Sequence, residues 1–349
     1  MKIMHLTINP NGGGAERVAS LICKNMLEIN IQSEVMSIDP LGQGENLLYS
    51  NSLNTERRML IVREISAAIR LRQALKMRGI THLHIHCEAP ELVAALATFR
   101  IKGLKIIVSE HTERPWNKYR FVGYVVRGNL LKKGATFVNC SDFGKKWMQN
   151  DRPVQINNYI RDDVKQYEIK SSKEKIDRIF LIQRLVETKR VKEVLLAIHA
   201  SNAPFQIEVF GDGPEREKLH HLSKKMGLMV RFHGFNDNPW QEFRPGDLIV
   251  SGSDYEGNPM TVSEAIAVNA PILLRNIAGH KFAITNPIQG FDNFKELTEK
   301  LADLDRGLLN SSSLQASDTV RLDFLKSRSL EVLNSEWRAV YSQRQWNYE

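Results

Sequence analysis

Two glutamates, Glu256 and Glu264, bracket the segment Asp254-Tyr-Glu-Gly-Asn-Pro-Met-Thr-Val-Ser-Glu264. It follows an apolar run, Leu248 to Ser251, that reads as a strand. Pro259 suits the first position of a helix. The backbone N–H groups of Met260, Thr261 and Val262 would then be unpaired at a helix N-terminus, a ready site for phosphate. Glu256 would lie on the loop with Gly257 and Asn258, and Glu264 about one turn inside the helix. One carboxylate could face a sugar and the other a ribose. Taken alone, the pair could equally be two solvated acids flanking a helix start. A second segment, Gln183-Arg-Leu-Val-Glu-Thr-Lys189, also joins a strand to a helix. Arg184 and Lys189 could there neutralise a diphosphate leaving group, or could simply be charges on a surface loop. Gly211-Asp-Gly-Pro214 is a third such turn, with Gly213 allowing the bend and Pro214 starting the next helix. Phe232-His-Gly-Phe235 ends a strand, where the Phe235 ring could rest on a base.

The first half offers less. Asn11-Gly-Gly-Gly-Ala-Glu16 joins a strand to a helix, and Gly13 and Gly14 would let the backbone approach a ligand closely. A G-x-G-x-x-G dinucleotide fingerprint needs glycine at position 17, where this chain has Arg17, so a dinucleotide oxidoreductase ranks last. Ser109-Glu-His111 closes a strand and would project His111 as a hydrogen-bonding or proton-handling group, although a lone histidine is more often structural.

These segments must be held by strands and helices in alternation. Ile3 to Ile8, His82 to His86, Lys105 to Ser109, Ala135 to Asn139 and Val154 to Asn157 read as strands. Ala15 to Leu27 and Arg63 to Lys76 read as helices, the former with Val18, Leu21, Ile22 and Met26 on one face. Val164 to Asp177 is polar and suits a linker. The alternation then restarts with strands at 178–182, 206–210, 230–233, 248–251 and 271–274, and helices at 191–200, 215–225 and 260–268. This pattern predicts an α/β fold of two Rossmann-like domains, 1–165 and 166–328, with the ligand in the cleft between them. Residues 329–349 form a terminal helix pattern expected to brace the first domain.

The totals agree. A chain of 349 residues exceeds what one core usually supports. Cys23, Cys87 and Cys140 are far apart, so each is expected to be a small buried hydrophobe rather than a disulfide or zinc ligand. No apolar run approaches a membrane span, and Met1 to Thr7 reads as a strand rather than a leader, so a cytoplasmic protein is expected. Residues 1–165 carry 24 Lys/Arg against 15 Asp/Glu, whereas the remainder is near neutral. The excess concentrates at Arg114, Lys118, Arg120, Arg127, Lys132 and Lys133, interleaved with Trp116, Tyr119, Phe121 and Tyr124. Such a stretch suits a surface lying on anionic lipid or an anionic acceptor. It could also be a solvated helix with core aromatics. No nucleic-acid module accompanies it.

Taken together, the segments resemble the retaining glycosyltransferases of family GT4, which have the GT-B fold of two Rossmann-like domains facing each other across a cleft. The resemblance rests on E-x7-E at Glu256 and Glu264, Arg-Leu-x-x-x-Lys at Arg184 and Lys189, the Gly-Asp-Gly-Pro turn, the N-terminal Gly-Gly-x-Glu-Arg pattern, His111, and Asn158. It implies that Glu256 contacts the transferred sugar and Glu264 the ribose. Arg184, Lys189 and the N–H groups of Thr261 and Val262 would bind the departing diphosphate. Gly13, Gly14 and His111 would act from the first domain. No metal and no cofactor are implied, the nucleotide-sugar being a co-substrate. Two departures stand out. Gln183 replaces the family's usual Gly, and the region after Gly279-His280 looks shortened. The expectation is a hexosyltransferase using a UDP-sugar on a glycan or lipid-linked acceptor of a bacterial-type surface polysaccharide (lipopolysaccharide, O-antigen or capsule), peripheral on the inner membrane face. The alternatives are a nucleotide-sugar epimerase of similar shape and a catalytically inactive sugar-nucleotide-binding protein.

Overall fold

The computed structural model describes residues 1–9, 13–39, 49–52, 60–112, 115–141, 154–170 and 175–343, with backbone alone for 49–52, 60 and 61. Asn11, Gly12 and Arg114 lie outside these. The chain divides into two compact units, Met1–Tyr159 with Ser327–Glu349, and Ile160–Lys326. The division falls before the polar stretch at 164–177 that suits a linker. Asp162–Tyr167 forms a 3-10 helix, and Val164 and Ile169 are buried in the core of the second unit. Ile176, at its far end, is buried in the other apolar cluster of that unit, so buried apolar side chains hold the described parts of this stretch.

In the first unit the strands are β1 (Lys2–Thr7), β2 (Gln32–Ser37), β3 (Tyr49–Ser52), β4 (His82–His86), β5 (Lys105–Glu110), β6 (Thr136–Asn139) and β7 (Val154–Gln155). They form one parallel sheet in the order β3-β2-β1-β4-β5-β6-β7. The helices are α1 (Gly14–Glu28), α2 (Leu60–Met77), α3 (Glu88–Ala97) and α4 (Arg120–Lys132), with a late one described below. The sequence reading passed over β2, β3 and α3, which show neither a long apolar run nor a strong helical period.

Strand alternation divides this sheet into two unlike faces. Met4, Leu6, Leu83, Ile85, Ile106 and Val108 point to one side and form the apolar core with Leu71, Leu75, Val93 and Leu130. The opposite side carries Ile3 and His5 from β1, His82, His84 and His86 from β4, and Ser109 from β5, all buried.

The basic stretch at 114–133 does not form one surface. Trp116 and Arg127 are buried. Arg127 reaches under α4 to Glu91 at 2.7 Å and also pairs with Glu110. The Trp116 indole donates to the same Glu91 at 2.8 Å. Burial pushes the Glu110 carboxyl up, and the Arg127 charge opposes that shift. Lys133 is half-buried and donates to the Ala95 carbonyl at 2.8 Å near the end of α3, a favourable place for a cation. Only Lys118, Arg120 and Lys132 of the described basic residues are exposed here, beside exposed Tyr119, Phe121, Tyr124 and Val125. Of the cysteines, Cys23 and Cys140 are buried, but Cys87 is half-buried and begins α3 with a left-handed φ of 74°.

The second unit holds β8 (Arg178–Ile182), β9 (Gln206–Phe210), β10 (Val230–Gly234), β11 (Asp247–Ser251), β12 (Ile272–Arg275) and β13 (Gly290–Phe291). They form a parallel sheet in the order β10-β9-β8-β11-β12-β13. Its helices are α5 (Val191–Ser201), α6 (Arg216–Lys225), α7 (Met260–Ala267), α8 (Phe294–Asp305) and α9 (Asp318–Ser327). Ile179, Leu181, Val209, Leu248 and Val250 pack with α5 and α8 on one face. Phe180, Phe210, Ile249, Ile272 and Leu274 pack with α7 and Trp240 on the other. The stretch after His280 is short, yet sheet and helix continue through β13 and α8. The final helix α10 (Leu330–Ser342) belongs to the first unit.

Arg127→Met should cost about 3–5 kcal/mol in urea unfolding, because it leaves Glu91 and Glu110 buried without their counter-charge. Lys118→Met, at an exposed position, should stay within about 0.5 kcal/mol.

Candidate functional site

All strands of the second sheet run parallel, so their carboxyl ends share one edge and the loops that follow them gather there. The loop after β8 is fastened to the loop after β9. Gln183 N–H bonds the Phe210 carbonyl at 2.9 Å, Leu185 N–H the Asp212 carbonyl at 2.9 Å, and Glu215 N–H the Leu185 carbonyl at 3.1 Å. Gly211 sits at φ +134°, and a Cβ there would lie 1.9 Å from the Gln183 carbonyl oxygen. Only glycine permits this approach. Arg184 is carried on the fastened loop, exposed and without a charge partner among the described residues.

Lys189 ends the same loop, and its ammonium pairs with the Glu256 carboxylate. Ser253 Oγ donates to the same Glu256 oxygen at 2.8 Å. Asp254 draws three loops together. Its N–H reaches the Thr188 carbonyl at 2.9 Å, and its carboxylate takes Arg190 at 2.7 Å and Arg275 at 2.6 Å. Behind Glu256 stands Gly279, where a Cβ would come within 2.4 Å of the Glu256 carbonyl oxygen. Buried His280 faces the Arg275 carbonyl at 2.9 Å through Nδ1. Burial lowers its pKa and the nearby Glu256 charge partly restores it. The Gly-His turn is therefore the wall behind Glu256.

Helix α7 begins at Met260 as expected, with Pro259 as the cap at φ −65° and ψ 120° rather than as its first residue. The first bond into the helix runs from Ser263 N–H to the Pro259 carbonyl at 3.1 Å. Met260, Thr261 and Val262 therefore precede any intrahelical acceptor. Thr261 Oγ1 donates to the Ile182 carbonyl at 3.1 Å and ties the helix start to β8. Ser263 Oγ reaches Asn258 Oδ1 at 3.2 Å.

Glu264 is not the open carboxylate its place on the helix suggested. It is buried, takes a hydrogen bond from the Trp240 indole at 2.6 Å, and lies 3.6 Å from the Arg161 guanidinium. Phe235 is exposed just past β10. The second unit thus brings together Arg184, Lys189, Glu256 and the start of α7. Gly13, Gly14 and His111 stand in the first unit. Gly13 caps α1, and His111 follows β5 with its Nε2 2.9 Å from His86 Nδ1. Burial lowers His111 to about 4, so its ring is neutral near pH 7.

Sequence reasoning did not find the supports Arg190, Arg275, Ser253, Trp240 and Arg161, and noticed Gly279 only as the start of a shortened region. Asp254 lay in the segment first noticed, but neither of its arginine partners falls at a telling spacing.

Residues 163–316 match the family described as glycosyl transferases group 1. EpsF of Bacillus subtilis (strain 168), which carries a glycosyltransferase name, is 24% identical over 308 residues, covering 78% of each chain. The lipopolysaccharide 1,6-galactosyltransferase of Salmonella typhimurium (strain LT2) is 29% identical over 91 residues, covering 24% of this chain and 25% of that protein. Among solved structures, Anabaena Alr3699/HepE in complex with UDP-glucose superposes with a TM-score of 0.79 at 16% identity, over 98% of this chain and all of that one. The fold is GT-B.

Gly211→Ala should lower the stability of the second unit by about 3 kcal/mol or more, because both the backbone region and the Gln183 carbonyl oppose it. Calorimetry would show a lower unfolding midpoint. An unchanged midpoint would mean that the two loops are not fastened in this way.

Proposed function

We propose that this chain, a member of the group 1 glycosyl transferases by the match of its residues 163–316, moves a hexose with retention of configuration from a UDP-sugar to a glycan or lipid-linked acceptor. The observation that carries this reading is the grouping at one sheet edge of the Lys189–Glu256 pair, exposed Arg184 and the unpaired start of α7. It supplies positive charge where a diphosphate must be held and a carboxylate beside it to take sugar hydroxyls.

In the reaction the bond from the anomeric carbon to the β-phosphate oxygen breaks, and the sugar gains oxocarbenium character. Arg184, Lys189 and the N–H groups of Thr261 and Val262 stabilise the charge growing on the departing phosphate. The acceptor oxygen bonds on the face the phosphate leaves, and its proton passes to a phosphate oxygen. These groups perform the charge stabilisation a divalent metal would otherwise give, so transfer proceeds without one. Glu256, steadied by Ser253 and Gly279, takes the 3- and 4-hydroxyls. Glu264, oriented by Trp240, holds the ribose, and Phe235 lies against the base. Asn258 and Pro259 shape the turn into α7. Gly213 keeps the neighbouring loop tight, and Gly13, Gly14 and His111 act from the first unit.

UDP is favoured because the Anabaena relative in fold is solved with UDP-glucose. A surface polysaccharide is favoured because the Salmonella relative is named for lipopolysaccharide. Among the described residues no helix is long and apolar enough to cross a membrane. Lys118, Arg120 and Lys132 with Tyr119, Phe121 and Tyr124 offer instead a surface for peripheral contact with an anionic membrane, each cation contributing about 1 kcal/mol at low salt.

Glu256→Ala should abolish sugar transfer and leave the circular dichroism spectrum unchanged. Near-normal turnover would overturn the assignment. In a thermal-shift screen of UDP-, GDP- and ADP-sugars, a UDP-sugar at a hundred times its Kd should stabilise the protein by about 2.7 kcal/mol, and the others by far less. Co-sedimentation with phosphatidylglycerol vesicles should fall in Phe121→Ser/Tyr124→Ser and at high salt. Loss of transfer with unchanged sedimentation would assign that surface to the acceptor instead.

A further inference from the structure

The first sheet carries a feature that sugar transfer as described does not use. Strands β1 and β4 lie side by side with His5 opposite His84. Residue alternation then puts His5, His84 and His86 on one face, all three fully buried. His5 Nδ1 is 3.1 Å from His86 Nε2, and His86 Nδ1 is 2.9 Å from His111 Nε2. The rings of His86 and His111 stack with centroids 5.2 Å apart. The three side chains make one continuous row from the interior to the carboxyl edge of the sheet.

A buried imidazole is neutral, because burial disfavours the cation. The directions agree: burial lowers His5 to about 3 and His86 well below its ordinary value. A neutral imidazole has one donor and one acceptor nitrogen. His86 uses both nitrogens in the row, so it must accept at one end and donate at the other. The row therefore has two registers only. In one, every proton sits on Nδ1, and each ring donates toward His111. In the other, every proton sits on Nε2, and the row runs inward. His5 Nε2 decides between them. It is buried without a hydrogen-bond partner among the described residues. An orphan lone pair is tolerated better than an orphan N–H, which is rare in protein interiors. The outward register leaves the lone pair there.

We propose that His5, His86 and His111 form a one-directional relay of neutral imidazoles that fixes His111 as an Nδ1–H donor toward the sugar or the acceptor. His5 and His86 are positioning residues, and the inference rests on the reading of His111 as a substrate contact. His111 Nδ1 has no partner among the described residues and is not among their buried orphan atoms, so it meets solvent. In the inward register the same atom would be an acceptor and would select the opposite hydrogen-bonding group on the substrate.

A buried metal is the competing use of these rings, since the ligand atoms of His5, His84 and His86 lie within 4.8 Å of one another. Existing bonds oppose it. His84 holds Tyr341 Oη at 2.7 Å and Ser109 Oγ at 2.7 Å. Both nitrogens of His86 are in the row. A cation would have to break one bond at each.

The test is a long-range proton–nitrogen correlation spectrum of the full chain labelled with 15N-histidine, which separates Nδ1–H, Nε2–H and cationic rings. His5, His86 and His111 should all be Nδ1–H at pH 7. An Nε2–H tautomer at His86 or His111, or stoichiometric zinc on the purified protein, overturns the relay. In His5→Phe the His111 signal should become a mixture, and kcat should fall about fivefold with the donor KM within about twofold. His5→Asn places an amide N–H where Nδ1 stood and should restore both. If His5→Phe folds and His111 stays wholly Nδ1–H, the relay is wrong. His111→Ala separates the two readings. Wild-type turnover there removes the substrate contact, while the tautomer spectrum of the native chain still judges the relay. The native spectrum needs no variant to fold.

Discussion

The ion pair between Lys189 and Glu256 is the constraint around which the second unit is arranged. A lysine and a glutamate from different strand ends meet only if both loops are held, the first by backbone bonds and the second mainly by the Asp254 carboxylate. The loop after β8 is bound by three main-chain hydrogen bonds to the loop after β9. The loop after β11 is fastened through Asp254 to Thr188, Arg190 and Arg275. Gly211 and Gly279 are required because carbonyl groups occupy the space a side chain would need. Charge alone would give such a half-exposed pair little strength. Its geometry comes from the loops.

Much of the second unit was legible in the sequence because its signals are local. A strand, a glycine-bearing turn and a helix recur at short intervals, and Glu256, Arg184 and Lys189 each fall at a strand end. Periodicity placed β8 to β12 within a residue or two. What was not legible came from contacts distant in sequence. The partners of Asp254 lie 64 and 21 residues away. The indole that holds Glu264 comes from a short 3-10 turn with no distinctive pattern. Arg127 and Trp116 were misjudged for the same reason. A run of cations without acids looked like a surface, but the acids that neutralise Arg127 are supplied by α3 and β5.

The two sheets share a topology and differ in what their faces hold. The second is mainly apolar on both sides, as parallel sheets covered by helices usually are, with one buried charged group, Arg178 with Asp247 and Glu208, toward the amino ends of its strands. The first is apolar on one side and lined by imidazoles on the other. The period of two in His82-Leu-His-Ile-His86 shows this plainly once β4 is recognised as a strand. What the pattern could not show is that His5 stands in the neighbouring register position, or that Tyr341 and Trp337 close over the rings.

That closure has a consequence for how the chain is made. Strands β1 and β4 are made before the second unit, whereas α10, which packs on their histidine face, is made after it. The whole of the second unit, residues 160–326, is produced in between. Until α10 is made, the part of this face that Trp337 and Tyr341 cover lacks that cover. A row of valines or isoleucines there would be a hazard for self-association. Imidazoles hydrate readily until Tyr341 replaces that water at His82 and His84.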